Sequence, residues 1–214
     1  MGKLQDSLLS GSSGRTGRLV VANFAGTEIL RVRPRKRTGS PTPKQALVQN
    51  RMKLCYQFIL PYKSYASKYF GNRSGMNSRY NQAITNIINA YKLDFTALTI
   101  TPVFSEIDFS RGNLLAPVPT ALTSPLPGTF TVDWLDNSVT DPDRQIDQLQ
   151  VLYYADEELK PIFMENSAER QDATLSVAVP PNLVGKTVHV WIAFRDVLLL
   201  DASGSSYVGT VLIT

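Results

Sequence analysis

The strongest chemical bias in this 214-residue chain lies at Arg31, Arg33, Arg35, Lys36 and Arg37, five cations in seven positions interrupted by Val32 and Pro34. Cations at this density neutralise phosphates along a nucleic acid or carboxylates on an acidic protein surface. The rest of the chain makes the second option specific. Residues 1–80 hold 15 Lys+Arg and 2 Asp+Glu, a net +13, whereas the remainder holds 7 and 16, a net −9, and together they give the overall +4. A chain polarised in this way can bind a polyanion through its basic part, or the acidic part of another copy of itself.

Groups suited to catalysis are scarce. His189 is the one histidine and stands between Val188 and Val190 in an alternating strand, the usual setting of a structural side chain. Cys55, the one cysteine, sits among apolar neighbours at helical spacing, which predicts a buried thiol and excludes an intrachain disulfide. Triads built on Ser/His or Cys/His and zinc sites therefore lack their parts. Asp136, Asp141, Asp143 and Asp147 crowd one loop, but the glycine of a calcium-binding loop is missing, so a solvated acidic loop is expected. No catalytic residue, metal or cofactor is expected, and no small-molecule substrate is indicated.

The cationic run lies between two kinds of element. Before it, Arg18–Phe24 and Thr27–Arg33 are β-prone and are joined by Ala25-Gly26, which predicts a hairpin with Arg31 and Arg33 on one face. Gly11, Gly14 and Gly17 precede a strand instead of opening a helix after one, so they are not a phosphate-binding loop. They predict an extended arm that is ordered against a neighbour, with Gly26 giving the hairpin its tight turn. After the run, Thr42-Pro43-Lys44-Gln45 has the form of a capped helix start. Pro61 should kink or break that helix, Gly71 should stop it, and a second helix should begin near Asn77. Tyrosines interleaved with Arg and Lys here resemble a base-stacking surface, but their helical period favours core packing.

Pro117, Pro119, Pro125 and Pro127 suggest a boundary, with residues 1–116 forming a basic arm, hairpin and helical region and residues 117–214 a β-sandwich. The later strands, among them Thr129–Trp134, Gln148–Tyr154, Thr187–Phe194 and Ser206–Ile213, have sandwich spacing. Trp134, Tyr154, Trp191 and the closing Ser206-Tyr207-Val208-Gly209 strand resemble a fibronectin type III or immunoglobulin-like module without the cysteine pair of the latter. The expected fold class is α+β: an N-terminal β-hairpin and antiparallel helix pair, followed by a fibronectin-III/immunoglobulin-like β-sandwich.

The order of several short motifs also resembles a Bacteroidota family of unknown function with an N-terminal Gly-Lys-Val-Gly-type motif. The residues concerned are Gly14–Val21, Gly26 with Arg31–Pro34, Thr42 to Arg51, Ile107–Leu114 and Trp134 to Asn137, with Arg15 and Thr16 where Lys and Val are usual. The resemblance spans most of the chain and implies kinship without an activity.

Taken together, these features predict a self-assembling structural protein, such as a subunit of a phage or phage-like particle or filament. Its arm and hairpin would contact neighbouring copies. The alternatives are a non-specific nucleic-acid binder acting through residues 31–37 and a sandwich whose loops bind a ligand. Without a signal-like or membrane-spanning segment, cytoplasmic synthesis is expected, followed by incorporation into a virion or extracellular particle, with no membrane partner.

Overall fold

The computed structural model describes residues 2–4, 10–24, 26–33, 39–75, 77–138, 141–156, 158–198 and 200–214. The chain divides into two compact units, residues 1–41 and 42–214.

In the first unit, β1 (Gly2–Lys3), β2 (Gly14–Thr16), β3 (Leu19–Phe24) and β4 (Thr27–Val32) form an antiparallel sheet in the order β1-β4-β3-β2. The expected hairpin is its β3–β4 centre. At the turn, Gly26 takes φ +80° and its N–H donates to Asn23 Oδ1 at 3.1 Å. The Gly/Ser-rich arm departs from expectation. Instead of awaiting a neighbour it folds back on its own hairpin, Gly14 pairing with Val21 and Gly2 with Leu30. Ahead of β2, Glu28 accepts from Gly11 N–H at 2.6 Å and from the Ser10 hydroxyl at 3.0 Å. Strand pairing uses backbone groups, so an edge of β3 or β4 recruits a segment whose own side chains carry little strand signal.

The second unit starts at α1 (Pro43–Ile59), whose cap is reciprocal: Thr42 Oγ1 accepts from Gln45 N–H at 3.4 Å, and Thr42 N–H donates to Gln45 Oε1 at 3.2 Å. Pro61 then interrupts the helix. A 3-10 turn, Leu60–Tyr62, separates α1 from α2 (Lys63–Tyr69), and Gly71 follows at φ +61°. Ser78 caps α3 (Arg79–Ala90) by accepting from Asn81 N–H at 3.1 Å. A short hairpin follows, β5 (Tyr91–Asp94) with β6 (Thr99–Pro102).

Seven further strands make the sandwich: β7 (Val118–Thr123), β8 (Thr129–Leu135), β9 (Gln148–Ala155), β10 (Ile162–Met164), β11 (Thr174–Ala178), β12 (Thr187–Arg195) and β13 (Ser206–Leu212), with a single helical turn, α4 (Pro142–Gln145), before β9. One sheet runs β11-β8-β7 and the other β10-β9-β12-β13, all antiparallel. Phe130, Val132 and Trp134 of β8 meet Val151, Tyr153, Val190, Ile192 and Phe194 between the sheets.

The opposite face of the four-stranded sheet is also covered. Leu152, Trp191 and Ala193 pack into a second core with Phe58, Tyr62, Tyr65, Ile87 and Phe109. Phe58 reaches Tyr154 and Trp191, with ring centroids at 5.3 and 6.1 Å, and Phe104 reaches the same two rings at 5.4 and 6.2 Å. The second unit thus has three layers, helices on sheet on sheet.

This arrangement corrects the expected boundary at 116/117. Residues 42–116 share a core with the sandwich, and the Pro-rich run is not a linker because it contains β7. Pro119 is tolerated there because β7 is an edge strand and its register shifts between Pro119 and Ala121. Tyr62, Tyr65 and Tyr69 follow the core reading, all being buried, whereas Tyr56 of α1 is exposed. Among the described residues, no helix is long and apolar enough to cross a membrane.

Candidate functional site

Strand register sorts the first unit into two chemically distinct faces. Directly paired residues share a face, so Leu19 with Val32 and Val21 with Leu30 form one apolar stripe across β3 and β4. Arg15, Val20 and Arg31 stand side by side on the other face, where Lys3 pairs with Ile29. The sheet is one layer thick. Val21 is the one buried residue among the described residues of this unit, while Val32 is 70% and Leu19 37% exposed. A sheet of this kind needs packing against its apolar face to be stable.

The cationic run is only partly within the described structure. Arg31 lies in β4, and Arg33 extends the ladder by donating its N–H to Arg18 O at 2.8 Å. Arg35, Lys36 and Arg37 lie outside the described residues. Gly11, Gly17 and Gly26 hold φ of +80°, +59° and +80° at turns, whereas Gly14, at φ +107°, opens β2. The sequence reading did not include Arg15 and Lys3 in the cationic surface. Lys3 reaches it by pairing with the distant Ile29, and Arg15 through the tight β2–β3 turn at Gly17-Arg18, within a strand whose glycine-rich sequence gives little strand signal.

His189 lies on the helix-facing side of β12, where its ring packs on Phe104 with centroids 4.1 Å apart. Nδ1 is 2.8 Å from Tyr207 Oη and Nε2 is 3.1 Å from Asp156 Oδ1. Burial pushes its pKa down from the ordinary 6.5, and Asp156 partly opposes that shift. Burial likewise raises the Tyr207 phenol. The result is a neutral imidazole between a carboxylate and a reluctant phenol, an arrangement that joins β9, β12 and β13. Cys55 is fully buried and its thiol is pushed up to about 11, which leaves it unreactive at neutral pH.

The acidic loop is less uniform than expected. Asp141 caps α4 by accepting from Asp143 N–H at 3.2 Å, and Asp136 accepts from Ser138 N–H at 3.0 Å. Asp147, expected to be solvated with the others, is instead buried and meets Arg170 at 2.8 Å. Arg170 is itself fully buried over the Phe194 ring at 4.0 Å, donates to Leu115 O at 3.1 Å, and also bonds Asn137 Oδ1. Burial raises the Asp147 carboxyl, with Arg170 pulling it back. Among the described residues, no group of three or more His, Cys, Asp and Glu converges as metal ligands would.

Strand order and layering define this protein as a fibronectin type III-like sandwich backed by helices and preceded by a separate amphipathic sheet. The chain belongs to the family of unknown function DUF6266, whose model matches residues 11–209 and so takes in β2, β3 and β4 of the first unit. No curated protein matches it. Among solved structures, the fn3 domain of human contactin 1 is similar over 49% of this chain and 83% of its own, at 10% identity and a TM-score of 0.34.

Proposed function

We propose that this protein is a self-assembling structural subunit, of the kind that builds particles or filaments, and that residues 1–41 are its contact with a neighbouring copy. The supporting observation is the single-layer sheet. It presents Leu19, Val21, Leu30 and Val32 along one face, and only Val21 is buried among the described residues of its unit. Residues 42–214, by contrast, have two cores of their own. Charge supplies a partner: residues 1–41 hold 8 Lys+Arg and 2 Asp+Glu, whereas residues 117–214 hold 5 and 13. A contact between different surfaces of successive copies closes into rings or continues as a filament.

The test is the molar mass of nuclease-treated protein by light scattering, for the full chain and for residues 42–214. The full chain should be a multiple of 23.7 kDa, with the truncated protein monomeric and folded. A monomeric full chain at low and moderate salt overturns the reading.

A second reading rests on the opposite face, where Arg15 and Arg31 flank Val20. This face gathers Lys3, Arg15 and Arg31, cations suited to phosphate contact along a polyanion. It predicts polyanion binding that weakens steeply with salt, while the oligomeric state stays the same when residues 1–41 are removed.

A further inference from the structure

The helical layer of the second unit has no acid of its own: residues 42–93 hold 8 Lys+Arg and no Asp or Glu. Its cations therefore depend on other parts of the fold for partners. Lys92 finds Glu106 at 2.6 Å and Arg111, from the segment beyond, finds Asp108 at 2.7 Å. Lys68 and Arg79 pair with no carboxylate among the described residues.

The fold brings these two and Arg111 around one cavity of about 120 Å³. Lys68 lies in the last turn of α2 and Arg79 is the first residue of α3. The chain between them reverses at Gly71, φ +61°, and an Arg79 N–H returns to donate to Lys68 O. Arg111 arrives from far along the chain. Phe70 bridges to it, and Arg111 N–H donates to Tyr69 O at 3.0 Å. Its guanidinium is oriented on two sides, by the Phe70 ring at 5.1 Å and by Asp108. Gly112 then lets the 201–202 segment close the cavity, because a Cβ there would lie 2.0 Å from Ala202 O. Asp201 lines the cavity too, but its Oδ1 accepts from Ala202 N–H at 2.8 Å and it pairs with none of the three cations. Three cations facing one space repel one another, and an anion placed among them relieves that repulsion with charge-assisted hydrogen bonds.

We propose that this cavity binds a small oxyanion, a phosphate or carboxylate group, held by Lys68, Arg79 and Arg111 with the side-chain amides of Asn72 and Asn113 in the same lining. The volume is that of about four waters, which suits one such group. Arg79 and Arg111 offer planar forks that match two oxygens of either group, and Lys68 adds a mobile point charge. All of these residues lie within residues 42–214, so the site does not depend on assembly through residues 1–41.

Isothermal titration calorimetry of the nuclease-treated full chain, in low-salt buffer free of phosphate, tests this with inorganic phosphate and with malonate as separate titrants. Saturable binding of at least one is expected, and the tighter of the two identifies the oxyanion. Lys68→Glu reverses an exposed charge that pairs with no carboxylate, so the thermal midpoint should stay at the wild-type value while affinity falls at least about tenfold. Lys68→Gln is the milder variant should the reversal disturb folding, and it should weaken binding in the same direction. Arg73→Glu is the control. Arg73 is exposed, belongs to the same acid-free segment and does not line the cavity, so an identical change in net charge should leave the affinity nearly unaltered. Asp201→Asn keeps an acceptor for Ala202 N–H while removing the one negative charge of the lining, and it should tighten binding. No saturable binding of either titrant overturns the proposal. Equal weakening by Lys68→Glu and Arg73→Glu also overturns it, because the anion would then be answering the general positive field of the helical layer.

Discussion

The two four-stranded sheets of this protein differ in what covers them. β10-β9-β12-β13 is covered on both faces, by helices on one side and by the second sheet on the other, so consecutive residues of β12 from Val188 to Arg195 are all buried. β1-β4-β3-β2 has one buried residue among those described. Both sheets are antiparallel and rich in branched aliphatic residues. The difference shows that strand pairing and strand burial are separate achievements. Backbone hydrogen bonds are enough to align β1 to β4, whereas cooperative stability requires apolar area removed from water, and only residues 42–214 remove much of it within one chain.

The largest effect should come from the place where the well-covered unit buries charge. Asp147→Ala leaves the Arg170 guanidinium buried without its carboxylate, and the expected loss is about 3–5 kcal/mol. Urea unfolding followed by tryptophan fluorescence reads it, since Trp134 donates its indole N–H to Arg170 O at 2.9 Å. Asp147→Leu combined with Arg170→Met should recover most of that loss, because removing both charges also removes their desolvation cost. A double variant no better than the single one would show that the guanidinium's bonds to Asn137 and Leu115, and not its charge pairing, hold this end together.

Next in size is Gly112→Ala. A Cβ there would lie 2.0 Å from Ala202 O, in backbone that cannot swing aside as a flexible side chain would. Overpacking at such a contact costs on the order of 1–3 kcal/mol, and the same urea midpoint should report it. Gly26→Ala makes a useful contrast within the first unit. That Cβ meets nothing within 4 Å, so only the strain of φ +80° is felt, and the unfolding of residues 42–214 should not register it.

These positions also show how far the sequence could be read. The Thr42 cap, the Pro61 break and the Gly71 stop were legible because each depends on residues within one or two turns of chain. The sandwich was legible from alternation and spacing. The helical layer's attachment was not, although a trace of it is present: Val188-His189-Val190-Trp191-Ile192-Ala193-Phe194 is nearly unbroken in apolar character, as expected of a strand buried on both faces. Read as an ordinary sandwich strand, it left the helices to be grouped with the hairpin. The Arg170–Asp147 pair could not be found at all, because the two residues lie 23 positions apart in loops of generic polarity and meet only when two loops share a sandwich end. On the candidate surface, Arg31 and the hairpin turn were legible. Arg15 and Lys3 were not, because pairing with a glycine-rich strand is decided by the partner's open edge.

A smaller effect should separate the units by pH. In the folded protein His189 has a pKa below its ordinary 6.5, because burial disfavours the imidazolium. Between these two values the unfolded chain binds more protons than the folded one, so stability falls as pH drops below about 6.5 and levels off once the folded-state pKa is passed. Each pH unit of that window is worth at most about 1.4 kcal/mol. Thermal midpoints from pH 8 to pH 4.5 should show this decline in wild type, and His189→Gln should flatten it. An unchanged slope in the variant would assign the acid sensitivity to carboxylates that hydrogen bonds hold below their ordinary pKa, such as Asp136 and Glu158.

The smallest expected effect bears most directly on what the first unit is for. If residues 42–214 owe their stability to their own two cores, removing residues 1–41 should leave their urea midpoint unchanged within about 0.5 kcal/mol, the range of substitutions that touch no core. Val21→Asp tests the same point in the full chain. Val21 is 5% exposed, and an aspartate there opposes whatever covers it. In a dilute, monomeric sample the main unfolding transition should stay where it was, and the loss should appear as faster amide exchange in β3 and β4. Under assembling conditions the same substitution should cost far more, because the apolar stripe is then covered by another chain and its stability becomes concentration-dependent. A variant equally destabilised at all concentrations would mean that the sheet is stabilised within its own chain, and the contrast between the two sheets would then be one of degree.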